Sequence, residues 1–398
     1  MNKITVILMI ALCVLSVSAC APQTEKAAAE SVAAGSNSVI LGTDGSVWTF
    51  GSNNNGQLGD GTTTSRNQPE KIMDGAKAVA ANVDYCYAIK ADGGLWQWGW
   101  AAYAMPDNFR DPVRLKPEKI MDDVLYVSAG GSHSLAIKTD NSLWAWGDNH
   151  YGQIGDGTRI DPDALIPKNM QGRIQSSPPV KIMENVILAS AGRFHSLAVK
   201  EDGSLWAWGD NFDGQLGDGT TMDKSAPVRI MDGVVFIAAG TDHSMAIKKD
   251  GSLWVWGANH YGALGDGTAT DSCAPMKVMD GVVVAGAGNG NSFAIRSDGS
   301  LWAWGCNQSG KLGDGTITII GVYEVIAEDN DKHSPVRIMD DVTCIAAGES
   351  HTLAITNDGS VWAWGCYEDS ADAGVNEPAS VTPVRIIDSP GGLSGYYQ

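Results

Sequence analysis

His243-Ser-Met-Ala-Ile-Lys248, then Lys249-Asp-Gly-Ser252, then Leu253-Trp-Val-Trp-Gly257: this stretch decides the fold. Two short runs rich in β-branched and aromatic residues alternate with small or polar ones, which argues for strands. Asp250-Gly251 between them predicts a hairpin turn of the primed type, where positive φ is needed. Upstream, Phe236-Ile-Ala-Ala-Gly240 reads as a further strand ending in small residues. Downstream, Pro275 introduces a fourth, Met276 to Met279. Four short antiparallel strands therefore make one unit.

The unit recurs. Its first tryptophan stands at Trp48, Trp96, Trp144, Trp206, Trp254, Trp302 and Trp362, with spacings of 48, 48, 62, 48, 48 and 60 residues. A second Trp and a Gly follow in every unit but the first, which has Phe50-Gly51. Of the 14 tryptophans only Trp100 lies outside this pattern. Seven repeats of four antiparallel strands predict an all-β chain, a seven-bladed β-propeller of four-stranded antiparallel blades. The two long spacings come from insertions of 14 and 12 residues between the third and fourth strands of units three and six, roughly Arg159–Pro178 and Ile317–Ser334.

Elsewhere that connection holds Asn-x-x-Gly-Gln-Leu-Gly-Asp-Gly-Thr, whole at Asn53–Thr62 and Asn211–Thr220. Near copies run Asn149–Thr158, Asn259–Thr268 and Asn307–Thr316. With Gly-x-x-His before a strand and Trp-Gly after one, the chain resembles the regulator of chromosome condensation (RCC1-type) repeat family over about residues 33–388. The resemblance implies a seven-bladed propeller. Eukaryotic relatives that act on a small GTPase or on chromatin are a poor guide to this chain. Secreted bacterial propellers of the same repeat type that inhibit β-lactamases fit its expected compartment better.

That compartment is read from the first residues. Lys3 precedes an apolar run, Ile4 to Val17, too short for a bilayer span but suited to a secretory signal. Val17-Ser-Ala-Cys20 resembles a bacterial lipobox, which implies cleavage before Cys20 and lipidation of that residue. The expected organisation is a lipoprotein signal peptide (1–19), a tether (20–32), the propeller (33–388) and a C-terminal tail (389–398). The expected location is the bacterial cell envelope, lipid-anchored and extracytoplasmic. The whole chain has 398 residues, 48 of them Gly against about 28 at the usual share, as many tight turns require. Its net charge of −19 argues against nucleic acid as a partner. Cys86, Cys273, Cys306, Cys344 and Cys366 leave an odd number of thiols after Cys13 and Cys20, so their pairing stays open.

Candidate chemistry reads as structure. His133, His195, His243 and His351 hold one position in four units, with Tyr85 and Asn291 replacing them in units two and six, and Asn37 in unit one. Equivalent positions are spread around a ring, so a hydrogen-bonding role is expected. Gly305 to Leu312 mimics a phosphate loop but lacks the Ser or Thr after Lys311 and a following helix. Asp60, Asp156, Asp218, Asp266 and Asp314 sit in Gly-Asp-Gly-Thr turns without the ligand spacing of a calcium loop. Glu328-Asp-Asn-Asp331 in the unit-six insertion is the better ion candidate, yet it reads first as a solvated acidic loop. No converging set of carboxylates and histidines is expected on one face, so neither an enzyme nor a metal or cofactor is expected.

Alternating strands place the Asp-Gly turns on one face and the long connections on the other. The turn face repeats itself; the long-loop face varies and carries both insertions. Binding residues favour such loops on a rigid scaffold. After each Trp-Gly, units two to five offer aromatic groups. The expected partner-binding arc is Trp100, Tyr103, His150, Tyr151, Phe212, His260 and Tyr261. The expected function is that of a protein-binding module, with a cell-surface glycan, a β-lactamase or, last, a lyase or hydrolase substrate as alternatives. Membrane contact is expected only through the lipid.

Overall fold

The computed structural model describes residues 29–100, 113–160, 177–320, 326–366 and 380–387. They form seven blades: Ala29–Met73, Ala76–Met121, Val124–Met183, Val186–Met231, Val234–Met279, Val282–Met339 and Val342–Ile387. Each is a four-stranded sheet with its strands in chain order. The described residues contain no helix. The first strand, Ala29–Ala34, starts four residues before the expected boundary, so residues 29–32 belong to the body rather than the tether.

Sequence explains which strand goes where. The first strand of each blade ends in small residues, among them Ala34, Ala81, Ala129, Ala191, Ala239, Ala287 and Ala347. These seven converge on the ring axis, where they line a channel. The second strand lies between its own neighbours and the flanking blades, and His243–Lys248 is buried at five of its six positions. The fourth strand lies at the rim with a mixed exposure pattern. Its pairing with the third strand is interrupted by a bulge at the same place in all seven blades, as at Leu253/Trp254. A recurrent bulge adds twist to the outer strand.

The core lies between blades. Leu197, Val199, Leu205 and Ala207 of blade four pack with Val234, Ile237, Ala246 and Trp256 of blade five. Each fully buried aliphatic side chain contributes about 1.5–3 kcal/mol. The same packing closes the ring, where Val32, Ile40 and Phe50 of blade one meet Leu353, Ile355 and Val361 of blade seven. No strand is exchanged at that seam, because every sheet is built from contiguous chain. Ala29 pairs with Gly42, beside the Asp44-Gly45 turn, so the chain enters the ring on the turn face. The last strand ends at Ile387, paired with Val361, on that same face.

The hairpin turns differ from the expected primed type. The Gly251 N–H donates to the Lys248 carbonyl at 2.9 Å, and within the turn only Gly251 has a positive φ, 78°. A primed turn of type I′ needs positive φ at both central residues. Here Asp250 keeps an ordinary backbone, and its carboxylate accepts the Ser252 N–H and hydroxyl at 3.0 and 2.6 Å. The blade-six insertion adds a two-stranded hairpin, Ile319–Ile320 with Ile326–Glu328. Cys86, Cys273, Cys306, Cys344 and Cys366 are all free thiols.

Candidate functional site

The long-loop face has a fixed base. The Asn211 side chain donates to the Thr220 and Met222 carbonyls at 3.0 and 3.1 Å, and its oxygen accepts the Leu216 N–H. Leu216 is buried, and the Gln215 carbonyl accepts the Trp256 indole of the next blade at 2.9 Å. Gly217 lies on that indole, where a Cβ would come within 2.7 Å of the ring. The repeated motif thus folds its loop and clamps it to the following blade. Lys311 replaces the glutamine in blade six. It is buried and donates to the Asn289 carbonyl at 2.6 Å, so it is a clamp and not a phosphate ligand.

The histidines are a second clamp. The His133 Nε2 lies 2.7 Å from Ser196 Oγ, and His195–Ser244, His243–Ser292 and His351–Ser38 repeat the contact at 3.0, 2.9 and 3.0 Å. Each pair joins one blade to the next, the last across the ring closure. Ser–His contacts also occur in nucleophilic sites. These are fully buried, and Ser196 and Ser244 donate to main-chain carbonyls instead. Burial pushes His133, His243 and His351 down to about 4 and His195 to about 3, so the rings are neutral. Tyr85 takes over in blade two, donating to the Gly130 carbonyl at 2.8 Å. Asn37 donates to the Gln57 carbonyl, while Asn291 is too short to reach a partner and its amide is unpaired.

A third contact joins loop tips. In blades one, three, four and five the fourth residue after Trp-Gly or Phe-Gly comes up against the residue before the next blade's His or its substitute. Asn55 donates to Asp84 at 2.8 Å. Tyr151 lies on Phe194, ring centroids 5.0 Å apart, and Arg193 covers Phe194 at 4.9 Å. Tyr261 covers Gly290, where a Cβ would sit 3.1 Å from its ring. Between blades four and five the pair is Asp213 and Asp242. Burial raises both pKa values, with the Asp271 charge adding to the shift at Asp213 and the Asp213 charge to that at Asp242. Burial and then the Asp223 and Asp242 charges also push Asp210 up to about 6, against the Phe212 N–H.

The expected arc is assembled in part. Phe212 is 80% exposed, with Tyr151 at 39% and Tyr261 at 41% on the neighbouring blades. His150 contacts Asp148, and His260 lies 3.8 Å from Asp271. Trp100 is a strand residue paired with Val113, and Tyr103 lies outside the described residues. Three contributions were not foreseen. Met222, 69% exposed, stands on the same blade-four loop as Phe212. Phe194 and Arg193 extend the Tyr151 surface to the mouth of the axial channel, a cavity of about 550 Å³ lined by the first connections of all seven blades. Contrary to expectation, a carboxylate–histidine set does converge: ligand atoms of Asp213, His260 and Asp271 lie within 4.8 Å of one another. The Glu328–Asp331 loop is instead internally bonded, Asn330 donating to Glu328 at 3.1 Å, and Asp331 caps the blade-six loop by accepting the Asn307 N–H at 2.7 Å.

The family described as RCC1-like domain matches residues 15–283 and, in a second overlapping match, 105–393. The chain belongs to this family. Solved structures place it among RCC1-like propellers in fold. Human WBSCR16 is 21% identical, with a TM-score of 0.68 over 86% of this chain and 94% of that one. Yeast Prp20p, from a study of its binding to Gsp1p and histones, is 18% identical, with a TM-score of 0.69 over 95% of this chain and 89% of that one. A chain of the complex of Kap60 with yeast RCC1 (Prp20) is equally similar, 18% identical at 0.69 over 94% and 91%. At these identities the likeness concerns the fold.

Proposed function

We propose that this RCC1-like protein is a lipid-anchored, extracytoplasmic binding module that engages a partner protein through blades three to five of its long-loop face and catalyses no reaction. The observation that carries the reading is Phe212. A phenylalanine 80% exposed at the tip of a doubly clamped loop, flanked by Tyr151 and Tyr261, costs solubility unless something covers it. Large aromatic side chains on a rigid support are also favoured contact residues. The buried Ser–His pairs offer no accessible nucleophile, which supports binding over catalysis. Prp20p, in the same family, is described by its binding to Gsp1p and histones; this chain's charge of −19 favours a different partner.

A pull-down from the native cell surface, run beside a glycan array, tests the reading. A protein captured by the parent and lost on Phe212→Ala supports it. Glycan binding with no captured protein would replace it. The anchor is tested separately: Cys20→Ser abolishes lipid labelling and releases the chain from the membrane fraction, and unchanged labelling would contradict it.

A further inference from the structure

The inter-blade contact at the loop tips is chemically satisfied in blades one, three and five, but not in blade four. Blade one uses an amide against a carboxylate, blade three two rings, and blade five a ring over a glycine. Blade four puts Asp213 toward Asp242, two acids, with the Arg193 charge acting on Asp242 and only that of His260 opposing at Asp213. His260 and Asp271 reach the same place from blade five.

Asp271 departs from Asp223, its equivalent in blade four, in a way that matters. Asp223, Asp271 and Asp331 each cap the first Asn of their loop, the Asn259 N–H to Asp271 at 2.7 Å. The remaining oxygen of Asp223 pairs with Arg159 at 3.1 Å. Among the described residues no lysine or arginine forms an ion pair with Asp271 or with Asp213. A two-carboxylate, one-imidazole set therefore stands with no lysine or arginine paired to it among the described residues. The mixed nitrogen and oxygen donors suit a borderline transition metal more than Ca2+, which takes six to eight oxygens. Ligand atoms already within 4.8 Å need only side-chain rotation to share one ion at about 2.0–2.2 Å, and His260 is exposed and free to turn.

We propose that Asp213, His260 and Asp271 form a divalent-cation site, of the kind taken by Zn2+ or Co2+, that ties the blade-four loop to blade five beside Phe212 and Tyr261. Three protein ligands leave a position open toward solvent. The proposal is independent of any partner, because the ion is read directly.

The test uses the full chain, freed of metal with a chelator. Co2+ is titrated by its visible absorbance and Zn2+ by calorimetry. One ion per chain is expected. Asp213→Asn and His260→Asn should each bind at least about tenfold more weakly, since loss of even an outer-shell partner costs about 10–100-fold. His150→Asn, at the equivalent position in blade three, should bind as the parent does. Asp213→Asn recreates the amide–carboxylate bridge of Asn55 and Asp84, so it folds, and an unchanged melting temperature checks this. Parental affinity in both ligand variants would overturn the site. So would Ca2+ or Mg2+ displacing Zn2+ at equal concentration.

Discussion

The two faces of the ring solve the same problem with opposite economy. On the turn face, Asp250 accepts from Ser252, whose hydroxyl accepts the Trp254 indole at 3.0 Å, and Lys248 covers that indole at 4.5 Å. The Asp–Ser–Trp relay recurs in blades one, three, four and six. The Ser hydroxyl and N–H hold Asp140, Asp202, Asp250 and Asp298 below the usual carboxylate range. In these five blades the indole, the serine and the aspartate of the turn answer one another locally. On the long-loop face the base is equally fixed, but the tips change from blade to blade. Identity there is released from packing, and that is where aromatic rings and acids come to the surface.

Acidification should separate the faces most strongly. The buried histidines are neutral when folded, with values near 3 to 4, whereas an unfolded His titrates near 6.5. Below about 6.5 the unfolded chain binds protons that the folded chain refuses. The stability is complete above that value and is lost as pH falls toward 4. At pH 5 the loss is up to about 2 kcal/mol for each of the four rings. Asp210, raised to about 6, and Asp213 and Asp242, also raised, act in the opposite sense and offset part of this loss. Melting followed from pH 7 to 4.5 reads this directly; a flat profile would contradict the neutral clamps.

The two tryptophans of one strand give the next contrast. Trp256, fully buried and bonded across to blade four, should cost about 3–5 kcal/mol on replacement by Ala. Trp254, half-buried on the turn side, should cost clearly less. Equal losses in denaturant unfolding would remove the distinction between an inter-blade and a local indole. At the surface, Phe212→Ala should weaken partner binding by about 2 kcal/mol or more while leaving stability within about 0.5 kcal/mol. Gln308→Ala, at the tip of blade six, should change affinity by under about 0.5 kcal/mol.

The smallest effect sharpens the turn face. Blade two carries Gly94 where other blades have Ser, and the Trp96 indole N–H is buried without a partner. Gly94→Ser should restore the relay and raise stability by about 1 kcal/mol, read as a higher melting temperature. A Cβ there would meet the flexible end of Lys119 at 2.9 Å, the contact that must yield.

The fold was legible because seven copies of one pattern leave little choice. Trp spacing, the hairpin dipeptides and the Asn-x-x-Gly-Gln-Leu-Gly filler each identify the same four-strand unit. The histidines were legible for the same reason, since one residue repeated around a ring argues for a shared joint. What escaped depends on contacts between units. Phe194 precedes His195, a position as variable as the loop tips, and a blade-by-blade comparison there would have found it. Asp213, His260 and Asp271 come from two blades, and no single unit contains the set. The primed turn was misread because Asp-Gly also suits an ordinary turn closed by one left-handed glycine.

The point of chain entry sets how the molecule would sit at a surface. Ala29 begins the innermost strand, close to the axis, and does so on the turn face. A lipid on Cys20 would leave residues 21–28 as the leash, at most about 28 Å when fully extended. The disc would then lie with its turn face toward the bilayer and its long loops outward. Held near its hub in this way, it would be able to swivel about its own axis without lifting, and Phe212 and its neighbours would sweep every bearing in the plane of the membrane.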